Sequence, residues 1–443
     1  MMKMFGSSDQ GRRAMIRRPT VVSVLDIGSS KICCLIARLK PLDDAEGAEA
    51  LRGRTHAIEV LGIGHQRSRG IKSGVVVNLD AAEHAIRLAV DAAERMAGIT
   101  VDSLIVSISA GRLASETYSA SVALSGKAVE DVDIGRVLAA GRRHSVSDGR
   151  SIVHALPIGY SLDANGGIAD PRGMVGERLG VDMHMVTGDA QPLRNVELCI
   201  ARGHLSVERL VAAPYASGLS VVVDDESELG CACIDFGGGT TTIAVFTKGQ
   251  FVHADAIAIG GRHITTDIAR GLSTRLEVAE RLKTVYGSAL PSPADEREII
   301  SVPSIGDDEE EPANHVPRSA LTRIIRPRVE EILELVRDRL NQSGYATLVG
   351  RRMILTGGAS QLTGLAESAR RVLARNVRLG RPLGIAGLPE VAKGPAFSTA
   401  VGLLIYPQVA TMEQCEGGRD RPFAMTGTGG YLARVGHWFR ESF

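Results

Sequence analysis

The residues whose types and spacing could do chemistry fall in two short stretches. One, Cys233-Ile-Asp-Phe-Gly-Gly-Gly-Thr-Thr-Thr-Ile-Ala-Val-Phe246, runs apolar residues into Asp235, then Gly237, Gly238 and Gly239, then Thr240 and Thr241, then apolar residues again. This pattern predicts a β-hairpin. Glycines at its tip leave no Cβ in the way, so backbone N–H groups can close on an anion, with threonine hydroxyls as further donors. A carboxylate beside that cradle would repel a bare phosphate; it fits when a divalent cation or its bound water lies between. The other reading of the tip is an ordinary hairpin turn. The second stretch, Val24-Leu-Asp-Ile-Gly-Ser-Ser-Lys-Ile-Cys-Cys-Leu-Ile-Ala37, repeats the plan with Asp26, Gly28, Ser29, Ser30 and Lys31. Two such hairpins in two halves of one chain predict two related lobes with a nucleotide clamped between them. The commoner phosphate loops, Gly-x-x-x-x-Gly-Lys-Ser/Thr and Gly-x-Gly-x-x-Gly after a strand, do not occur.

Two more glycine pairs follow predicted strands. Gly260 and Gly261 end a strand expected over Phe251 to Ile259 and precede a helix, Ile264 to Gly271, whose free N–H groups offer a second place for phosphate or ribose. Gly357 and Gly358 sit between a strand from Arg352 and a helix running through Arg375, where a flat base or ribose could lie against bare backbone. Glu277, Glu280 and Lys283 fall on one helix, and on spacing alone they read as a solvated face of i,i+3 and i,i+4 charges.

The elements that must position these groups alternate strand and helix. Ile58 to Ile63 and Leu104 to Ile108 read as strands, and Leu79 to Ala97 as an amphipathic helix between them, which argues for an α/β lobe with a mixed sheet. From about Gly111 to Thr187, short strands, a helix over Val132 to Gly141 and glycine-rich turns predict a small inserted α+β module. Helices are expected over Gln191 to Arg202 and Tyr215 to Asp224, with a strand over Leu205 to Val211. Ala294 to Arg318, with the acidic block Asp307 to Glu311, reads as a mobile surface loop. A long helix over Leu321 to Leu340 carries Pro327 as a kink or restart, and the small residues of Phe397 to Ile405 suit a helix packed closely between lobes.

At 443 residues, against about 150 per domain, the chain should hold roughly three domains. Its 51 basic and 51 acidic side chains cancel, so nothing global points to nucleic acid. Cys33, Cys34, Cys199, Cys231, Cys233 and Cys415 lack metal-site spacing and read as small buried apolar residues in a reducing compartment. Residues 1–19 carry five cationic side chains and no apolar core, which predicts a flexible basic arm and no secretory signal. No apolar run is long enough to span a membrane as a helix. Residues 411–429 read as a linker. Beyond it Tyr431, Leu432, Val435, Trp438, Phe439 and Phe443 fall within an arc of roughly 140° on a helix, flanked by Arg434 and Arg440, an arrangement suited to lying in a lipid headgroup boundary. One such tail binds weakly, so a membrane role predicts self-assembly that multiplies it.

Together these stretches resemble the actin, hexokinase and heat-shock chaperone ATPase superfamily. Asp26-Ile-Gly-Ser-Ser-Lys31 is similar to its first phosphate motif, Asp235-Phe-Gly-Gly-Gly-Thr-Thr241 to its second and Leu355-Thr-Gly-Gly-Ala359 to its adenosine motif. Tyr215-Ala-Ser-Gly-Leu219 and Ser398-Thr-Ala-Val-Gly402 resemble its two connecting helices. The similarity is greatest to its bacterial cell-division branch, carried by Ile259-Gly-Gly-Arg-His-Ile-Thr-Thr-Asp-Ile-Ala-Arg-Gly271, Ala279-Glu-Arg-Leu-Lys283, Pro327-Arg-Val-Glu-Glu-Ile-Leu-Glu-Leu335, the inserted module and the terminal helix.

The resemblance implies an α/β, actin-like two-lobed fold with an inserted α+β subdomain and a C-terminal amphipathic helix. Its divisions would be 20–110 with 188–218, the insert 111–187, 219–265 with 349–410, the outer subdomain 266–348, and the membrane-targeting segment 430–443. It implies ATP and Mg2+ as ligands: Gly28, Ser29, Ser30 and Gly237 to Thr241 on the phosphates, Asp26 and Asp235 orienting magnesium through water, Lys31 neutralising phosphate charge, and Glu280, Lys283, Gly357 and Gly358 along the adenosine. The implied role is a structural one, with at most weak ATPase activity. Filaments on the cytoplasmic side of the inner membrane at the septum would tether the tubulin-like protein FtsZ by its C-terminal tail and recruit later division proteins. Arg318 and Arg326 are the candidate contacts for that tail. Thr242 stands where many relatives have Asp, and Arg326 where Glu is usual. The alternative is a small-molecule kinase of the same superfamily, for which no substrate pocket or catalytic base is identifiable in the sequence.

Overall fold

Each lobe is built on the same five-stranded sheet. In the first, the antiparallel strands Thr20–Ile27, Lys31–Pro41 and His56–Arg67 form a meander, and Ser103–Ile108 then Ser206–Ala212 add in parallel beside Thr20–Ile27. In the second, Cys231–Phe236, Thr241–Thr247 and Gln250–Ile257 form the meander, and Arg352–Thr356 then Asn376–Leu379 add in parallel. Both hairpins therefore open at the same place in their sheets. The computed structural model describes residues 20–42, 54–109, 112–143, 146–303 and 314–410.

Parallel addition needs a crossover, and the helix Leu79–Ala97 provides the first. Asn78 caps its start by accepting from the Ala81 N–H, Gly98 ends it in a left-handed conformation, and Ala82, Ile86, Ala89, Val90 and Ala93 bury its apolar stripe on the sheet. The inserted module is a four-stranded antiparallel sheet, in the order Ala114–Ala123, Arg178–Asp189, Arg150–Leu162 and Asn165–Ile168. The helix Asp131–Arg142 packs on it around Val137, Leu179 and Met183.

Two helices, Ala213–Val221 and Ser398–Val409, join the lobes and cross almost backbone to backbone. A Cβ at Gly402 would lie 1.7 Å from the Ala216 carbonyl oxygen, so only glycine permits the crossing. Around it one core runs through both lobes, with Cys33, Cys231 and Cys233 among Tyr215, Phe251, Leu403 and Tyr406. The five described cysteines are buried and free; Cys415 lies outside the described residues. The lobes are also stitched at an edge: Ala386 accepts from the Val60 N–H at 3.1 Å and donates to the Ile58 carbonyl at 3.1 Å.

Several elements depart from expectation. The helix expected over Tyr215 to Asp224 starts at Ala213 and stops at Val221, and Asp224–Leu229 is a separate short helix. The expected surface loop 294–318 contains a hairpin, Ile299–Val302 with Asn314–Pro317, whose Ile300 and Val302 are buried; residues 304–313 lie outside the described set. Pro327 neither breaks nor restarts its helix, which is continuous over Arg318–Gln342. After Gly357 comes a 3-10 turn, Gly358–Gln361, and the helix that follows spans only Leu365–Leu373. The divisions drawn at 218/219 and 265/266 fall inside the helices Ala213–Val221 and Gly261–Gly271. Among the described residues no helix is long and apolar enough to cross a membrane.

The insert docks on the second lobe through His184. Its ring lies edge-on to Phe251 with centroids 4.9 Å apart, Nδ1 donates to the Phe251 carbonyl at 2.9 Å, and Nε2 accepts from the Ser115 hydroxyl. Burial pushes this imidazole down to about 3 from an ordinary 6.5. The unfolded chain therefore takes up a proton that the folded one refuses, and stability falls as pH drops below about 6.5 toward about 3. Between pH 7 and 5 this contributes a loss of about 2 kcal/mol. Denaturant unfolding at the two pH values should show a loss larger in the wild type than in His184→Gln by that amount.

Candidate functional site

The two hairpins meet at the floor of a cleft of about 1050 Å3 between the lobes. Their tips touch: a Cβ at Gly238 would lie 2.7 Å from Ser30 Oγ, and one at Gly239 would lie 2.4 Å from Ser29 Oγ. Side chains on the second tip would push the lobes apart, which is why it is bare.

Asp26 and Asp235 are the last but one residues of the first strands of their hairpins and face the same cleft. Each is aimed by hydroxyls. Asp26 Oδ1 accepts from Ser107 Oγ at 2.7 Å, on the neighbouring parallel strand. Asp235 Oδ2 accepts from Ser217 Oγ and, at 3.0 Å, from Thr399 Oγ1, one from each connecting helix. Lys31 Nζ lies 3.4 Å over the Phe397 ring and donates to the Ala396 carbonyl. Burial raises both carboxyls above the ordinary aspartate range; Lys31 draws both back down, and the Asp235 charge raises Asp26 further. Burial lowers Lys31. Two carboxylates against one ammonium leave an excess of negative charge withdrawn from bulk water, which a divalent cation would relieve. Among the described residues no third Asp, Glu, His or Cys gathers with them, so the protein does not complete a direct ligand shell, and contact through bound water fits the donor set.

On the other wall, Glu280 Oε2 accepts from Lys283 Nζ at 2.7 Å and from Thr265 Oγ1, while Lys283 also reaches the Gly261 carbonyl at 3.2 Å. Gly357, at φ 85°, passes so close to Asp235 that a Cβ would meet its Oδ1 at 2.2 Å.

Of the residues singled out in the sequence, Asp26, Gly28, Ser29, Ser30, Lys31, Asp235, Gly237, Gly238, Thr240, Gly261, Glu280, Lys283, Gly357 and Gly358 line this one cleft. Three others do not. Thr241 is buried and its hydroxyl donates to the Ile259 carbonyl at 2.8 Å; Gly239 packs against Ser29; Gly260 lies behind Gly237. The helix Gly261–Gly271 does not offer free N–H groups to a ligand as expected. Gly261 N–H donates to the Gly237 carbonyl at 2.9 Å and Arg262 N–H to the Gly238 carbonyl at 2.7 Å, so the helix start braces the glycine turn. Arg67, Arg262, Glu277, Thr284, Gln361 and Thr399 line the cleft as well. Thr399 sits in a connecting-helix motif and could have been found there. Arg262 sits in the quoted Ile259 to Gly271 motif and could have been found in the same way, whereas Arg67 is brought in by the tertiary fold alone.

Arg318 is spent internally, donating to the Tyr286 carbonyl at 2.8 Å and pairing with Glu298 at 2.8 Å. Arg326 pairs with Glu330 on its own helix at 2.9 Å and is more exposed. The candidate membrane residues Tyr431 to Phe443 lie outside the described residues.

A duplicated sheet, two crossing helices and a cleft floored by paired phosphate-type hairpins define an actin-like ATPase fold, a class built to bind nucleotide. Among solved structures, the PilM-PilN type IV pilus biogenesis complex superposes with a TM-score of 0.59 over 88% of this chain and 98% of that one, at 16% identity, a likeness of fold alone. Residues 232–402 match the family model "Cell division protein FtsA", and residues 110–187 match "SHS2 domain inserted in FTSA". The FtsA proteins of Rhizobium meliloti (strain 1021) and Agrobacterium fabrum (strain C58) are 59% and 60% identical over 100% of both chains. That of Escherichia coli (strain K12) is 32% identical over 95% of this chain and 97% of its own. The chain belongs to the FtsA family of cell-division proteins.

Burial raises Asp26 and Asp235 above the ordinary aspartate range, and the cation-dependent part of nucleotide affinity needs both as carboxylates. It should be lost on acidification through those raised values, earlier than an ordinary carboxyl near 3.8 would allow. Titration calorimetry across pH, with and without a divalent cation, checks this. Asp26→Asn and Asp235→Asn should each remove about tenfold or more of the cation-dependent affinity and flatten the profile.

Proposed function

We propose that this protein binds ATP with Mg2+ in the cleft, polymerises on the cytoplasmic side of the inner membrane at the septum, tethers FtsZ filaments there and brings in later division proteins. What supports the reading most is the convergence of Asp26 and Asp235 on one cleft in a chain of the FtsA family. The backbone of Gly28, Ser29, Ser30, Gly237 and Gly238, with Thr240, would hold the phosphates, and Lys31 would balance their charge. Glu280, Lys283, Gly357 and Gly358 would follow the adenosine. Asp26 and Asp235 would hold magnesium through water, and the ion would supply charge neutralisation at the phosphates. Both carboxylates are already aimed by hydroxyl donors, an arrangement suited to orienting hydration water, and the role is structural, with turnover at most weak.

Residues 430–443 would carry the body to lipid through Tyr431, Leu432, Val435, Trp438, Phe439 and Phe443, with Arg434 and Arg440 at the headgroups. Polymerisation multiplies a weak single anchor. The outer subdomain 266–348 would take the FtsZ tail, with Arg326 the freer of its two candidate arginines.

Vesicle flotation tests the whole reading. With ATP and Mg2+, anionic vesicles should carry both this protein and FtsZ to the top of the gradient, and removal of residues 429–443 should abolish it. Equal flotation of the truncated chain overturns the membrane assignment, and FtsZ left behind while this protein floats overturns the tether.

A further inference from the structure

The cleft is bridged at its rim as well as at its floor. Arg67 ends the strand His56–Arg67 of the first lobe, and its Nη1 lies 2.7 Å from Glu277 Oε1, in the first turn of the helix Leu276–Tyr286. The partners are 210 residues apart in sequence, both line the cleft, and their side chains are 68% and 75% exposed. Neither end is incidental. Arg67 is the cross-strand neighbour of Lys31, and the adjacent Ser68 N–H donates to the Ser30 carbonyl at 3.0 Å, so the arginine is fixed to the phosphate turn. Glu277 stands about one turn before Glu280 and two before Lys283 on the helix that forms the other wall. Deeper in, Arg262 Nη1 donates to the Ser29 carbonyl at 3.1 Å, a second contact from lobe to lobe.

We propose that Arg67 and Glu277 form an electrostatic clasp across the mouth of the nucleotide cleft, which opens for nucleotide to leave and so slows exchange. The proposal rests on the nucleotide reading given above. An exposed ion pair is a weak tie, and here weakness is useful: it slows release without trapping the ligand. Breaking it should speed release about two- to fivefold at low salt. Being exposed, it should also yield to salt, since the screening length at 1 M is about 3 Å.

The test is the release of a fluorescent ATP analogue, loaded with Mg2+ on the full chain and chased with excess ATP in a stopped-flow instrument. Arg67→Glu and Glu277→Arg alone should each release faster at low salt, and the double reversal, which restores opposite charges, should return toward the wild-type rate. At about 1 M salt the four proteins should converge. Both positions are exposed, so folding should be unaffected, and matching melting curves check this. Single reversals that release at the wild-type rate, or a double reversal as fast as either single one, overturn the clasp while leaving nucleotide binding standing. A wild-type chain that retains no analogue overturns both.

Discussion

The structure turns on holding two carboxylates and one ammonium away from bulk water at the meeting point of two lobes. Withdrawing Asp26, Asp235 and Lys31 from solvent raises the acids and lowers the base, so each is costly unless something nearby favours its charged form. Ser107, Ser217 and Thr399 supply hydroxyl donors to the acids, and the face of Phe397 with the Ala396 carbonyl accommodates the lysine. With all three ionised, the remaining imbalance is one negative charge facing the cleft, which a cation would offset.

That requirement reaches into the architecture. Asp235 is aimed by one residue from each connecting helix, and the Ser217 and Thr399 hydroxyl oxygens lie 2.8 Å apart, so the crossing of those helices fixes the carboxylate. The crossing depends in turn on Gly402 lying against Ala216. A shift of one lobe relative to the other would be felt first at Asp235. Bare glycines at 238 and 239 let the opposing turn approach, and the carbonyls of Gly237 and Gly238 are gripped by the start of the helix Gly261–Gly271.

Much of this was legible in the sequence, because hairpins announce themselves through local pattern. Apolar runs either side of Asp-x-Gly, and the amphipathic stretch Leu79 to Ala97, are signals within one element. What could not be read came from contacts between distant segments. The N–H groups of Gly261 and Arg262 looked free because the carbonyls that occupy them lie more than twenty residues earlier in the chain. Thr241 looked like a ligand because a threonine after glycines gives no sign of which way its hydroxyl turns. The strands within 299–317 were hidden by prolines and acidic residues, and Pro327 passed into a helix whose interior face, Ile325, Val329, Ile332 and Leu333, is anchored strongly enough to hold it.

The backbone stitch between Ala386 and the strand His56–Arg67 has a consequence for how copies of this chain can come together. An outer strand with unpaired N–H and C=O groups invites another molecule to zip onto it without regard to orientation or partner. Along Ile58 to Val60 those groups are already satisfied from within. Over that stretch any neighbour must be recognised by side chains, and contacts of that kind can be made selective and broken again.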